Sequence, residues 1–261
     1  MKLASWNINS VRLRQALVLD RLQALDLDVL CLQETKTEDQ FFPVEAFAEA
    51  GWPHIVMRGE KSYNGVAIIS RLPITDSGHH LWTGRTDCRH ISATIEGQTI
   101  HNFYVPAGGD EPNRDINPKF GHKLDFVTEM TSFFSAQPPT SSVLVGDLNI
   151  APLAADVWST RQLKNVVSHT DIEREMLLKL IDKGGWVDAV RHHYGEEEIL
   201  YSWWSYRARD WQASNRGRRL DHIWVSADNK DKITNIHIDK AIRGAEKPSD
   251  HVPLVIELAS K

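Results

Sequence analysis

The stretch Val143-Leu144-Val145-Gly146-Asp147-Leu148-Asn149 decides how this chain folds. Its apolar run reads as a buried strand, and a glycine closes it. Asp147 and Asn149 then stand one residue apart. Side chains at i and i+2 of a strand project to the same face. The strand therefore delivers a carboxylate and an amide side by side where its ladder runs out. In α/β sheets the carboxyl ends of strands are a common place for ligand chemistry. The alternative is a strand followed by an Asx-type turn, with Asp147 bonding to its own backbone. The rest of the chain has to separate the two.

Similar strand ends recur. Leu3 to Ile8 reads as a buried strand ending at Asn7-Ile8-Asn9-Ser10, with Ser10 as the expected cap of a helix through about Leu25. Val29-Leu30-Cys31-Leu32 is a short strand that runs into Gln33-Glu34-Thr35-Lys36. From Ile55 to Thr99 short β-rich segments alternate with turns, Asn64-Gly65 and Glu96-Gly97 among them. Lys119 to Ser135 reads as a helix with Leu124, Val127 and Met130 on one side. Thr170-Asp171-Ile172-Glu173 opens another with a capping-box pattern. Leu220-Asp221-His222-Ile223-Trp224-Val225 is a strand with an acid near its start, and Ser249-Asp250-His251 precedes a last strand from Val252 to Leu258. No linker or repeat interrupts the pattern. The expectation is an α/β chain, residues 1–261 forming one domain of two packed sheets flanked by helices.

Bulk properties exclude several classes. With 41% hydrophobic and 25% charged residues the chain is not disordered. A net charge of -5 makes no global electrostatic case for nucleic acid, so an anionic partner would need a local patch or a metal. Two cysteines without CxxC spacing argue against a disulfide framework or a zinc cluster. No signal peptide or membrane-length apolar run is visible, and a reduced cytoplasmic setting is expected.

Carboxylates, amides and a histidine at strand ends are the parts of metal-assisted hydrolysis. Asp and Glu oxygens suit Mg²⁺ or Mn²⁺, and Mg²⁺ is typically held by one or two carboxylates plus substrate phosphate. A histidine beside an acid is held in one tautomer and can donate to phosphate. Each residue also has a plainer reading. Asn7 could cap the Ser10 helix. Glu34 could be a solvated strand end. Asp221 could pair with Arg216, Arg218 or Arg219. Asp250-His251 could be turn residues.

The motifs Ala4-Ser5-Trp6-Asn7-Ile8-Asn9, Leu32-Gln33-Glu34-Thr35-Lys36, Val145-Gly146-Asp147-Leu148-Asn149-Ile150 and Glu246-Lys247-Pro248-Ser249-Asp250-His251 resemble those of the exonuclease III family of apurinic/apyrimidinic endonucleases. Tyr201-Ser202-Trp203-Trp204-Ser205-Tyr206-Arg207 and Asn215-Arg216-Gly217-Arg218-Arg219-Leu220-Asp221 agree, and narrow the wider phosphodiesterase superfamily to its DNA-repair branch. The resemblance implies a four-layered α/β sandwich with the site at one edge of both sheets. It implies a Mg²⁺ site, with Mn²⁺ able to substitute, at Glu34 with Asn7 nearby and Asp250 supporting it. It implies that Asp147 orients or deprotonates water, that Asn149 and His251 contact phosphate, that Asp221 holds His251, and that Tyr104 assists. Trp203 would pack against an abasic deoxyribose. Arg207, Arg216 and Lys119 would meet the DNA backbone. The expected substrate is duplex DNA with abasic sites or 3′ ends, cut by a monomer with no membrane partner. Two departures stand out: Ala107 follows Pro106 where the family often has glutamine, and Ser205 stands where an acid is common. The competing readings are a superfamily enzyme acting on a small molecule or lipid headgroup, which the arginine loop and Trp203 disfavour, and a nucleic-acid-binding protein that has lost catalysis, which should lack some of these residues.

Overall fold

Apolar side chains alternate between two environments along the strands, and two stacked sheets follow from that alternation. The computed structural model describes residues 1–259. Its strands are β1 (Lys2–Asn7), β2 (Val29–Gln33), β3 (His54–Glu60), β4 (Tyr63–Ser70), β5 (Ile74–Gly78), β6 (His90–Ile95), β7 (Gln98–Tyr104), β8 (Ser142–Asp147), β9 (Trp186–Asp188), β10 (Trp203–Trp204), β11 (Gly217–Arg218), β12 (Asp221–Ser226), β13 (Ile233–Ile238) and β14 (Leu254–Leu258). The helices are α1 (Gln15–Ala24), α2 (Val44–Glu49), α3 (Pro118–Ala136), α4 (Thr160–Leu163), α5 (Asp171–Lys183), α6 (Ala189–Tyr194) and α7 (Trp211–Ser214). One six-stranded sheet runs β13-β14-β1-β2-β4-β3 and the other β5-β6-β7-β8-β12-β9. Both are mixed, since β1–β2 and β7–β8 are parallel within otherwise antiparallel pairings.

Between the sheets lie Leu3, Cys31, Ile68, Ile100, Val143 and Ile223 with their neighbours. The opposite faces pack outward. Trp6, Leu30 and Ile69 meet Val18 and Leu22 of α1 and Phe47 of α2. Phe103, Leu144 and Trp224 meet Phe126, Val127 and Met130 of α3 and Leu177 of α5. This is the helix–sheet–sheet–helix arrangement expected. Thr170 caps α5 with the anticipated capping box to Glu173. Gly146 has φ of 141°, and any Cβ there would collide with the Phe103 carbonyl of β7. Only glycine lets β8 lie this close to β7 at the point where Asp147 emerges.

Several local expectations need correction. The first helix starts at Gln15, not at Ser10, and Ser10 is not its cap. Asn9 and Ser10 have φ of 49° and 90°, and Arg14 braces their loop by donating to Ile8 O at 3.2 Å, Lys247 O at 2.9 Å and Pro248 O at 2.9 Å. Asn64-Gly65 is not a connecting turn; it lies inside β4, with φ of 41° and 94°. β5 carries no clear apolar pattern, because it is an exposed edge strand. The final strand starts at Leu254, two residues after Val252.

A buried ionic cluster supports the sheet that carries Asp147. Asp156 accepts from Arg219 Nε and Arg191 Nη2, each at 2.5 Å, and Arg219 also meets Asp188 at 2.9 Å. Burial alone would raise the Asp156 carboxyl, but the two guanidiniums outweigh it and pull it down to about 2. A carboxylate depressed on folding stabilises fully above its ordinary value of 3.8, and that stability is lost as the pH falls towards about 2. The contribution is roughly 2 kcal/mol. His101 and His222, which burial pushes down to about 4, lose their contribution earlier, as the pH falls from 6.5 to 4. Urea unfolding should therefore give a stability that declines in both intervals, and a flat profile between neutral pH and about pH 3 would contradict the assignment. Gly146→Ala should leave little folded protein by circular dichroism.

Candidate active site

The strand alternation that builds the core also aims the polar residues. Leu3, Ser5 and Asn7 share the inward face of β1. Val143, Val145 and Asp147 share that of β8, and Ile100, Asn102 and Tyr104 that of β7. Tyr104 pairs with Asp147 across β7–β8, and Asp147 with Asp221 across β8–β12. The inward residues at one end of the sandwich are therefore polar, and they converge from both sheets. Glu34 and Asn149 follow their strands with φ of 50° and 55°, turning their side chains back over the strand ends.

Asn7 ties the two sheets at this point. Its Nδ2 donates to Glu34 Oε1 at 2.8 Å and to Asp147 Oδ2 at 2.9 Å. Asp147 Oδ2 also accepts from Asn149 Nδ2 at 3.2 Å, and Oδ1 accepts from the Asn149 amide at 2.9 Å. The Asx bond of the plainer reading thus exists, but within a larger cluster. Asp221 pairs with none of the arginines named for it. Its Oδ2 accepts from His251 Nδ1 at 2.7 Å and from Ser202 Oγ at 2.6 Å. That leaves His251 Nε2 facing Asp147 Oδ2 at 3.7 Å. Burial would lower the imidazole, but Asp221 and Asp147 outweigh it and carry it up to about 10, so His251 is a cation at neutral pH. Burial, with Asp221 and Glu34 adding to it, raises Asp147 to about 7 against the pull of His251. Burial beside Glu34 and Asp147 holds the Tyr104 phenol well above its ordinary value, and Arg89 lies over its ring at 4.9 Å.

These groups open into a cleft of about 980 Å³ whose lining includes Glu34, Tyr104, Asp147, Asn149, Asp250 and His251. The lining also includes Trp158, Trp203, Arg207, Arg209, Arg216 and Arg218, with Trp203 directly beside Asp250 and His251. An acidic floor beside an arginine and tryptophan wall suits a sugar–phosphate chain presented to a hydrolytic centre. Residues 4–251 match the endonuclease/exonuclease/phosphatase family. The chain belongs to that family. It is 30% identical to an exodeoxyribonuclease of Bacillus subtilis, over 97% of this chain and 98% of that one. It is also 30% identical to exodeoxyribonuclease III of Haemophilus influenzae, over 98% and 99%. Among solved structures, an AP endonuclease from Archaeoglobus fulgidus superposes with a TM-score of 0.92 at 32% identity. A 3′ phosphatase from Neisseria bound to a product DNA hairpin gives 0.91 at 32%. Both cover all of either chain. The protein is a nuclease-type hydrolase.

Members of this family are metal-dependent, and the donor set here suits a hard divalent cation. Glu34 Oε2 already holds a positive charge: Lys36 Nζ lies 2.7 Å from it and donates to Asn9 Oδ1 at 2.6 Å. Lys36 and Asn7 keep the Glu34 carboxyl below its ordinary value despite its burial. Asp250 is next to this corner, accepting from Asn9 Nδ2 at 3.3 Å and from Trp203 Nε1 at 3.0 Å. Asp147, Asp221 and His251 also bring ligand atoms within 4.8 Å of one another. A protonated imidazole donates rather than ligates, and Glu34 and Asp250 are the carboxylates beside it that could hold a cation.

The structure separates the DNA-facing expectations. Trp203 is half-buried on the cleft wall, whereas Trp204 is enclosed in the core. Arg207 and Arg216 are exposed in the cleft lining, and Arg216 lies over Trp158 at 4.7 Å. Lys119 stands in the first turn of α3 beside Gly109 of the rim, outside the cleft lining. Ala107 and Gly109 do line the cleft, as does Ser205. Sequence reasoning assigned no role to Lys36, although it quoted the motif containing it, and none to Ser202 or to Lys123. The fully buried Lys123 ammonium donates to Asn149 O at 2.7 Å and to Glu173 Oε1 at 2.5 Å. A helical lysine flanked by apolar positions was the one available signal.

In metal-free protein the His251 ring should titrate near pH 10 by NMR. Asp221→Asn removes the nearest counter-charge, so the titration should move down by at least about one unit. An unchanged His251 titration in Asp221→Asn would rule out the pairing as its cause.

Proposed function

We propose that the protein cuts duplex DNA on the 5′ side of abasic sites, leaving a 3′-hydroxyl, and also trims and cleans 3′ ends. The reading is carried by one observation. An acid raised to about 7 and a cationic imidazole face each other at 3.7 Å on the floor of a cleft walled by arginines and Trp203. Titration near neutrality suits Asp147 to take a proton from water at working pH. Asn7 and the Asn149 amide fix its orientation, so the proton goes to an oxygen already aimed. His251, kept protonated and turned by Asp221, donates through Nε2 to a phosphoryl oxygen and offsets the charge that gathers there. Asn149, which lines the cleft and donates through Nδ2 to Asp147 Oδ2 and Val105 O, would redirect that amide to a phosphoryl oxygen. Tyr104, held as the phenol, donates on the same side. Glu34 and Asn7, with Asp250 in support, would hold Mg²⁺, or Mn²⁺ in its place, which when bound neutralises phosphoryl and leaving-oxygen charge.

An abasic nucleotide has no base to unstack, so it leaves the helix at lower cost than an intact one. Trp203 offers an apolar face to its deoxyribose, and Arg207 and Arg216 meet flanking phosphates, with Lys119 beyond the rim. The chain works as a monomer in the cytoplasm in this reading. No helix among the described residues is long and apolar enough to cross a membrane.

A duplex carrying one tetrahydrofuran abasic analogue should be cut on its 5′ side with Mg²⁺ and left intact with chelator. Asp147→Asn and His251→Ala should each lower kcat by about a hundredfold or more. Glu34→Gln should raise the Mg²⁺ concentration needed for half-maximal rate. Absence of a 5′ cut by folded wild-type protein with Mg²⁺ would refute the proposal.

A further inference from the structure

The parallel strands β7 and β8 are joined by α3, and α3 sends one side chain back to the ends of both. Lys123 is fully buried. Its ammonium donates to Ala107 O at 3.2 Å, just past Tyr104 of β7, and to Asn149 O at 2.7 Å, just past Asp147 of β8. The third bond goes to Glu173 Oε1 at 2.5 Å. An ammonium has three donors, and all three are used. The aliphatic stem is a contact surface as well. A Cβ at Gly108 would stand 3.0 Å from Lys123 Cδ, so the segment after β7 rests directly on the lysine.

An ion pair alone does not account for this residue. Enclosed ion pairs stabilise weakly, and apolar side chains of like volume often serve as well. Glu173 also has other partners, the amides of Ser168 and Thr170 and the Thr170 hydroxyl. What an apolar residue at position 123 could not do is bind carbonyls from two strand ends at once. Asn149 is where that matters. Its φ of 55° lies in the left-handed region, which side chains disfavour. Its N–H is fixed by Asp147 Oδ1 at 2.9 Å, and Lys123 fixes its C=O. With both ends of the residue held, the side-chain torsions are the freedom left for Nδ2 to turn towards phosphate.

We infer that Lys123 is a positioning residue for the hydrolytic reaction: one ammonium fixes the segments leaving β7 and β8 and holds Asn149 where its amide reaches a phosphoryl oxygen. Lys123 touches no reacting atom and acts through Asn149. Glu173 balances the charge, while the geometry comes from the two carbonyl bonds. The inference rests on the reading of Asn149 as a phosphate donor, and it predicts that the two partners of the ion pair are unequal in catalysis.

Lys123→Met, which keeps the enclosed space filled, should lower kcat on the tetrahydrofuran duplex by about tenfold or more and leave KM nearly unchanged. Glu173→Gln, which leaves both carbonyl bonds in place, should stay within about threefold of wild type. In an Asn149→Ala background, Lys123→Met should cost no more than about twofold. Melting temperatures verify folding, and Lys123→Met/Glu173→Gln, which strands no charge, takes the place of the single variant if that one does not fold. Hydrogen exchange in metal-free, DNA-free protein reads the geometry without hydrolysis. The Asn149 amide should exchange at least about tenfold faster in Lys123→Met, while that of Ile223 in β12 stays as in wild type. Equal losses in Lys123→Met and Glu173→Gln, the same loss with and without the Asn149 side chain, or unchanged exchange at Asn149 overturns the inference. Faster exchange at Asn149 in a protein that cuts no duplex would sustain the positioning role and refute the hydrolytic reading instead.

Discussion

Everything at the site depends on holding two sheets at a fixed separation and alignment, and a buried amide does this. Asn102 projects from β7 across the interior and donates to Leu32 O and Ala67 O of the opposite sheet, each at 2.9 Å. Its oxygen accepts from Gln33 at 2.7 Å, and Gln33 in turn donates to Ser5 at 3.1 Å. Apolar contact between sheets is non-directional and tolerates sliding. Directed hydrogen bonds in a dry interior do not, because an unmade one costs the full desolvation of the group. Glu34 comes from one sheet and Asp147 from the other, and Asn7 can bond both only while that alignment holds.

The strand ends were legible because a period of two is unambiguous once one face is apolar. Asn7, Asp147 and Asp221 were each visible as polar residues at strand ends, and the structure brings them together with Glu34, Asn149 and His251. The layered fold was legible for the same reason. Less was legible where backbone conformation overrides local preference. Ser10 has the chemistry of a helix cap, but the loop it belongs to is held by Arg14 against Lys247 and Pro248, residues far away in sequence. Asn64-Gly65 has the chemistry of a turn, yet it is absorbed into β4. The pairing of Asp221 with His251 was legible only through the family resemblance, not from its neighbours along the chain. Arginines two, three and five residues before it were the nearest candidates along the chain, while its partners, Ser202 and His251, arrive through tertiary structure. Lys36 and Asn102 escaped for the same cause: each acquires its meaning from what lies across a gap.

Charge is distributed so that an acidic chain can face an anionic polymer. The net charge of -5 is offset at the cleft by exposed arginines on a loop held from beneath. Tyr206 donates to Pro248 O at 2.8 Å and accepts from Arg14 at 3.0 Å, and Arg243 lies over the rings of Tyr206 and Trp211 at 5.1 and 5.5 Å. The same Arg14 shapes the Asn9 loop next to Glu34. The Glu34 corner and the arginine loop are therefore oriented by one side chain.

Lys123 has a consequence of another kind. Its ammonium bonds the carbonyl of Asn149 and the carboxylate of Glu173, and Glu173 accepts from the amides of Ser168 and Thr170. The turn that presents Asn149 and the cap that starts α5 thus share one enclosed charge. Neither can loosen alone without stranding an ion in a dry interior, so the two open and close as a single cooperative unit.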